Sequence, residues 1–281
     1  MSTGIGAYYE RLGRWNRVAR AVGYGGGSGS LTVHRALADP RANGRATVTR
    51  LHDVIVEQLP PLREPRVLDA GCGLGGTMIA LTGALQATCT GVTLSSFQAE
   101  QANAAAARLG IERQVRALVQ SYDAPPDGPF DLIVAIESLA HSPDPARSLA
   151  SLARVLAPGA YLVIVDDMPR DGARSSPDLA IFKAGWQCPV LWSLEEYRRA
   201  LSATGLELVR ELDLTDAERV RSNLQIGLLT RLNRAVHAIP VDGLRQVMDS
   251  HLGGLALERL TRNQLVRYRL LVARRPELRV S

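Results

Sequence analysis

Three short stretches hold residues whose types and spacing suit chemistry. The first is Asp69-Ala70-Gly71-Cys72-Gly73-Leu74-Gly75-Gly76. It follows the apolar run Val67-Leu68 and precedes Met78, Ile79 and Leu81. Strand, glycine turn and helix in that order bring bare backbone and a helix N-terminus against a nucleoside-containing cofactor. The second is Thr93-Leu94-Ser95-Ser96-Phe97-Gln98, and the third is Glu137-Ser138-Leu139-Ala140-His141. Glu137 follows four apolar residues, Ile133 to Ile136, so partial desolvation should raise its basicity. His141, four residues on, is a second proton acceptor.

Gly71, Gly73 and Gly76 satisfy the dinucleotide spacing G-x-G-x-x-G. That site also needs an acid at the end of the following strand. Here that strand ends in Thr93-Leu94-Ser95, which argues against a nicotinamide cofactor. The acid stands two residues before the first glycine, as Asp69.

The string D-x-G-C-G-x-G resembles the first motif of class I S-adenosylmethionine (SAM) methyltransferases. Thr93-Leu94-Ser95 with Gln98 resembles the T-L-S-x-x-Q of their sterol, tocopherol and cyclopropane-type branch. The resemblance covers roughly residues 60–170 and implies SAM as cofactor. It implies Asp69 at the cationic end of SAM, Gly71 and Gly73 as close-approach backbone, and Thr93, Leu94 and Gln98 at the ribose. Ser121 and Tyr122 would cover the adenine. Glu137 is read as a catalytic base or cofactor contact, as in the geranyl diphosphate C-methyltransferases, with His141 as the other candidate base.

The elements that must position these groups follow from periodicity. Short β-rich runs at 66–69, 87–93, 115–121, 131–136 and 161–165 alternate with helical segments at 77–85, 96–109 and 145–156. Two later strands, 206–214 and 264–273, complete the set. This is an α/β pattern, a Rossmann-like, doubly wound seven-stranded sheet. Residues 44–59 read as a helix, and Ser193 before Glu195-Glu196 reads as the N-cap of another. Two units are expected: 1–43, a helix at 5–22 with a glycine-rich connection, and 44–281, the methyltransferase domain with helical lid insertions at 168–192 and 216–260.

Aromatic residues are 5% of the chain. Tyr8, Tyr9, Trp15 and Tyr24 gather near one end, and Phe182, Trp186 and Trp192 follow the fifth strand. Rings stabilise a cation by ~0.5–2 kcal/mol each, so both groups are candidate walls for a substrate site. Asp166-Asp167 ends the fifth strand, but two adjacent carboxylates are a weak metal signal and no metal is assigned. His34, Arg35, Arg45 and Arg50 read as a solvated face.

Composition limits the partners. The 281 residues carry a net charge of +5, nearly all of the basic count being arginine interleaved with acids. No aromatic-basic ladder or dense basic run points to nucleic acid. No apolar run reaches the ~20 residues of a membrane span. Cys72, Cys89 and Cys188 have no metal-ligand spacing and give no disulfide framework, so a reduced, cytoplasmic setting is expected. The N-terminal apolar stripe is a candidate contact between subunits. The expected function is methylation of an alkene carbon on an isoprenoid or prenylated natural product, through a carbocation relieved by deprotonation or cyclisation. The alternatives are O- or N-methylation of a small natural product, and SAM binding without catalysis.

Overall fold

A computed structural model describes Gly4 and residues 6–8, 30–237 and 242–277. Tyr9, Trp15, Tyr24 and most of the helix expected at 5–22 lie outside the described residues.

Nine strands and eight α-helices alternate along those residues. A hairpin of β1 (Leu37–Asp39) and β2 (Arg45–Thr47) comes first, then α1 (Thr49–Glu57). The helix expected over 44–59 therefore begins later, because residues 45–47 pair with β1. The boundary expected after residue 43 falls in the hairpin turn, where Asn43 and Gly44 adopt positive φ.

The main run is β3 (Arg66–Ala70), α2 (Gly76–Leu85), β4 (Thr88–Thr93), α3 (Ser96–Arg108), β5 (Val115–Val119), β6 (Phe130–Ile136), α4 (Pro145–Val155) and β7 (Leu156–Pro169). There follow α5 (Pro177–Trp186), α6 (Leu194–Ala203), β8 (Glu207–Asp213), α7 (Asn223–His237), α8 (Asp242–Arg262) and β9 (Val266–Arg274). The sheet order is β5-β4-β3-β6-β7-β9-β8. The first five strands in that order are parallel, while β9 runs antiparallel between β7 and β8.

Period-two alternation divides the core. Val67, Leu132, Val134, Val163 and Val165 pack under α1, α2 and α3. Leu68, Ile133, Ala135, Leu162 and Ile164 pack against α4 and α6 on the other face. These strands are apolar on both sides because helices cover both faces. The expected cap of α6 is present as a full capping box between Ser193 and Glu196.

A third apolar cluster joins α5 to α8 and holds Phe182, Leu257 and Leu260. The two helices meet at glycines: a Cβ on Gly253 would lie 3.2 Å from the Gly185 Cα. Tyr8 docks on this pair, its hydroxyl lying 3.1 Å from the Gly185 carbonyl and 3.2 Å from Ser250 Oγ.

Candidate active site

The carboxyl ends of β3, β4 and β6 open into one cavity of about 400 Å³, closed on the far side by residues 31–36, residues 218–221 and α8. Such a crevice outside the strand ends is where this sheet topology places ligands.

Asp69 ends the central strand and is 3% exposed. Its Oδ2 is buried and has no hydrogen-bond partner among the described residues. Burial pushes its pKa up to about 7. An unsatisfied buried carboxylate facing a cavity suits a cationic group such as the ammonium of SAM. The buried hydroxyl of Ser138 is likewise without a partner and lines the same wall. The residues therefore fit the cofactor that the sequence implies.

The glycine turn also has a packing reason within the protein. A Cβ on Gly71, whose φ is +104°, would sit 2.5 Å from the Ser138 Cβ. Gly71 is thus required by the neighbouring loop of the protein itself. A Cβ on Gly76 would sit 2.5 Å from Thr32 Oγ1, so residues 31–36 lie tightly across the start of α2. Gly73 also lines the cavity.

Thr93, Leu94 and Gln98 line the cavity at the end of β4. Ser95 caps α3 through the Gln98 amide, and Thr93 Oγ1 donates to Gln98 Oε1 at 2.6 Å. The side chain that replaces the usual acid is thereby held in place. Tyr122 lines the cavity and donates to the Ser138 carbonyl at 3.1 Å. Ser121 does not line it; its Oγ accepts from the Asp123 amide instead. Gln120, which sequence reasoning passed over, does.

Glu137 is not the open carboxylate expected of a base. Its Oε1 accepts from the Tyr268 hydroxyl at 2.8 Å and from the Arg35 amide and Nε at 3.2 and 3.3 Å. Burial alone would raise its pKa, but Arg35, His34 and the Tyr268 hydrogen bond outweigh burial and hold it below the usual carboxylate range. Its φ of +49° turns the chain out of β6.

Arg35 is the residue that sequence reasoning misread. Besides Glu137 it reaches Asp167 at 2.7 Å and Glu218 at 2.8 Å, and its guanidinium stacks 3.9 Å from the Tyr268 ring centroid. The Asp167 and Glu218 side chains are 4% and 5% exposed. One cation thus faces three carboxylates, and burial pushes the Glu218 pKa up to about 7. Asp167 and Tyr268 are opposite one another in the β7–β9 ladder, which explains their meeting.

Asp166 and Asp167 cannot share a ligand, because successive strand residues face opposite sides. Asp166 accepts from Tyr197 Oη and the Ala140 amide on one side, while Asp167 meets Arg35 on the other. No cluster of three or more metal-ligating side chains exists among the described residues.

His141 stands on the cavity wall. Its Nδ1 lies 3.3 Å from the Gln187 carbonyl and 3.8 Å from Cys188 Sγ; the carbonyl can only accept, which favours the tautomer with the proton on Nδ1 and Nε2 as the basic nitrogen. Burial lowers its pKa, so the ring is neutral at pH 7. His34 and His52, whose pKa values burial also lowers, meet Nε2 to Nε2 at 2.9 Å beside Thr77.

The expected aromatic wall is only partly present. Tyr8 and Trp186 line the cavity, and Trp186 Nε1 is anchored to the Ser250 carbonyl at 2.9 Å. Phe182 instead fills the α5–α8 core, edge-on to Trp186 at 5.3 Å. Trp192 packs on Tyr197 across the sheet from the cavity's acid cluster.

A Rossmann-like sheet with an orphaned acid at its central switch point defines an enzyme class that works with a nucleoside cofactor. The family model described as "Methyltransferase domain" matches residues 32–211, and the chain belongs to that family. It is a SAM-dependent methyltransferase. It is similar to a protein of Oryza sativa subsp. japonica named probable tocopherol O-methyltransferase, chloroplastic, at 29% identity over 97% of this chain and 77% of that one. A solved geranyl diphosphate methyltransferase in complex with SAM is 25% identical, covering 81% of this chain and 85% of that one with a TM-score of 0.63. The structure of the [4+2]-cyclase SpnF shares the fold at 21% identity and a TM-score of 0.75, covering 99% and 97% of the two chains. No helix among the described residues is long and apolar enough to cross a membrane.

Proposed function

We propose that the enzyme methylates a hydroxyl on a small, largely apolar natural product, with His141 as the group that takes the proton. The neutral imidazole on the cavity wall, its Nδ1 turned to the Gln187 carbonyl, carries this reading. SAM supplies an electrophilic methyl group. Asp69, beside the glycine turn, would hold its ammonium; Thr93, Leu94, Gln98 and Tyr122 would line its nucleoside part. Glu137, held by Arg35 and Tyr268, acts as a fixed negative charge. The acceptor would occupy the other half of the cavity, between Tyr8, Trp186, Val247 and Leu257.

A second reading keeps methylation of an alkene carbon on an isoprenoid. The rings of Tyr8 and Trp186 in the acceptor half of the wall favour it, as does the 25% identity to a geranyl diphosphate methyltransferase. The Tyr268 ring does not add to that wall, since Arg35 covers its face. In this reading too His141 is the better proton acceptor, because Glu137 is already ion-paired.

The test is mass spectrometry of products formed from methyl-labelled SAM and a panel of hydroxylated and prenylated acceptors, with wild type and His141→Gln. A label on oxygen, formed by wild type and slowed ~10²- to 10⁴-fold in the variant with SAM binding kept, supports the proposal. A label on carbon selects the second reading, and full activity of His141→Gln removes the base assignment.

A further inference from the structure

α7 is amphipathic in an unusual way. Ile226, Thr230 and Asn233 are buried, and Asn233 Nδ2 donates to the Met248 carbonyl of α8 at 3.0 Å. On the outer side Leu224, Leu228 and Leu232 are 84%, 58% and 55% exposed. Their spacing of four makes one continuous row. The other large exposed apolar residues described, Leu109, Val119 and Val209, lie on separate elements.

Charge selects what such a row can meet. From Arg219 to Val241 the sequence has four arginines and one histidine, and no aspartate or glutamate. Arg231 and Arg234 are exposed among the leucines. The nearby Asp249 is paired with His237 at 2.9 Å. A two-fold contact with a second copy would set these arginines against their own counterparts. The chain's N-terminal segment is an equally poor partner: residues 11–20 add four more arginines, and Tyr8 is already seated on α5 and α8.

We infer that the outer face of α7 docks on an anionic lipid surface, leucines toward the acyl region and Arg231 and Arg234 at the headgroups. Basic residues flanking an exposed apolar stripe are the pattern of a helix lying in the membrane interface. The location gives the contact a purpose. α7 rests on α8, whose Val247, Ser250, His251 and Leu257 line the cavity, and Arg219 to Arg221, just before α7, line it as well. A lipid surface at α7 would thus lie one helix away from the acceptor half. The loading of an apolar acceptor from that surface rests on the proposed function; the docking itself does not.

The experiment is flotation of the full chain with vesicles of phosphatidylcholine alone and of phosphatidylcholine mixed equally with phosphatidylglycerol, with sedimentation velocity in parallel. The docking predicts binding to the anionic vesicles, weakened about thirty-fold by Arg231→Gln with Arg234→Gln, from roughly 1 kcal/mol per arginine. Replacing Leu224, Leu228 and Leu232 together by serine should abolish it, and these exposed positions leave the core intact. Three results would overturn it: no flotation, flotation insensitive to both sets of changes, or a wild-type dimer that the serine variant converts to monomer. A failed methylation assay alone would bear on the proposed function and not on this face.

Discussion

The backbone amide and the Nε of Arg35 converge on one oxygen, Oε1 of Glu137, at 3.2 and 3.3 Å. The residues are 102 positions apart. Glu137 also carries the positive φ with which the chain leaves β6, so the arginine holds both a charge and a strained turn. Removing the cation leaves three carboxylates with no counter-charge, and breaking a buried pair from one side typically costs about 3–5 kcal/mol. Arg35→Gln is expected to lower the unfolding free energy measured by urea titration by an amount in that range. Arg35→Lys should recover only part, because an ammonium cannot reproduce the planar fork that meets Glu137, Asp167 and Glu218 together.

Asp69 makes cofactor binding pH-dependent. With its pKa at about 7, the carboxyl of the free enzyme is largely protonated below neutrality and ionised above it. Only the ionised form complements an ammonium. Calorimetry should show SAM affinity falling as pH drops from 8 toward 6, by up to about tenfold per unit, and Asp69→Asn should weaken binding and flatten the profile. Stability runs the other way. A carboxyl whose pKa is raised on folding contributes stability below its unfolded value, and that stability is lost as pH rises through 7. Asp69→Asn should therefore raise the urea midpoint at pH 8 while it harms binding.

His141 sets the acidic limit of turnover. Burial lowers its pKa below 6.5, so the ring stays neutral, and able to take a proton, through the whole neutral range. The acidic limb of kcat attributable to this base is expected below pH 6.5 and should be absent from the residual activity of His141→Gln. A limb that persists unchanged in the variant would assign it to another group.

Gly71 and Ser138 form a steric pair that a mutant cycle can resolve. Gly71→Ala places a methyl group 2.5 Å from the Ser138 Cβ and imposes a φ of +104° on an L-residue. Overpacking costs about 1–3 kcal/mol, and the backbone strain roughly 1–2 kcal/mol more. Ser138→Gly in the Gly71→Ala background should restore the first part and not the second, seen as a coupling energy from urea unfolding of the four proteins.

Much of the sheet was readable from the sequence, and so was the position of the candidate cofactor residues at its strand ends. β3, β6 and the middle of β7 are apolar on both faces, and the glycine turn, Thr93 to Gln98 and Glu137 to His141 sit at strand ends that topology brings together. These signals are local. The Arg35 hub was not readable, because its partners Glu137, Asp167, Glu218 and Tyr268 come from four separate parts of the chain and a single arginine beside a histidine resembles any solvated pair. The aromatics divided for a related reason. Phe182 and Trp186 share α5, yet one packs into the helix pair and the other faces the cavity; their one-turn spacing does not say which side the neighbouring α8 will cover. Asp166 and Asp167, only a weak metal signal in the sequence, face opposite sides of the pleat.

The position of β9 has a consequence for how the molecule is made. This strand, among the last residues described, slots between β7 and β8 and pairs with both. Until residues 266–274 have emerged from the ribosome, β7 and β8 each present a bare hydrogen-bonding edge, and Tyr268 is missing from Glu137. A nascent or prematurely stopped chain that ends before β9 would carry two sticky borders and no finished acid cluster, making it a ready target for proteolysis or aggregation. The segment that fills the gap between β7 and β8 thus also brings Tyr268 to Glu137.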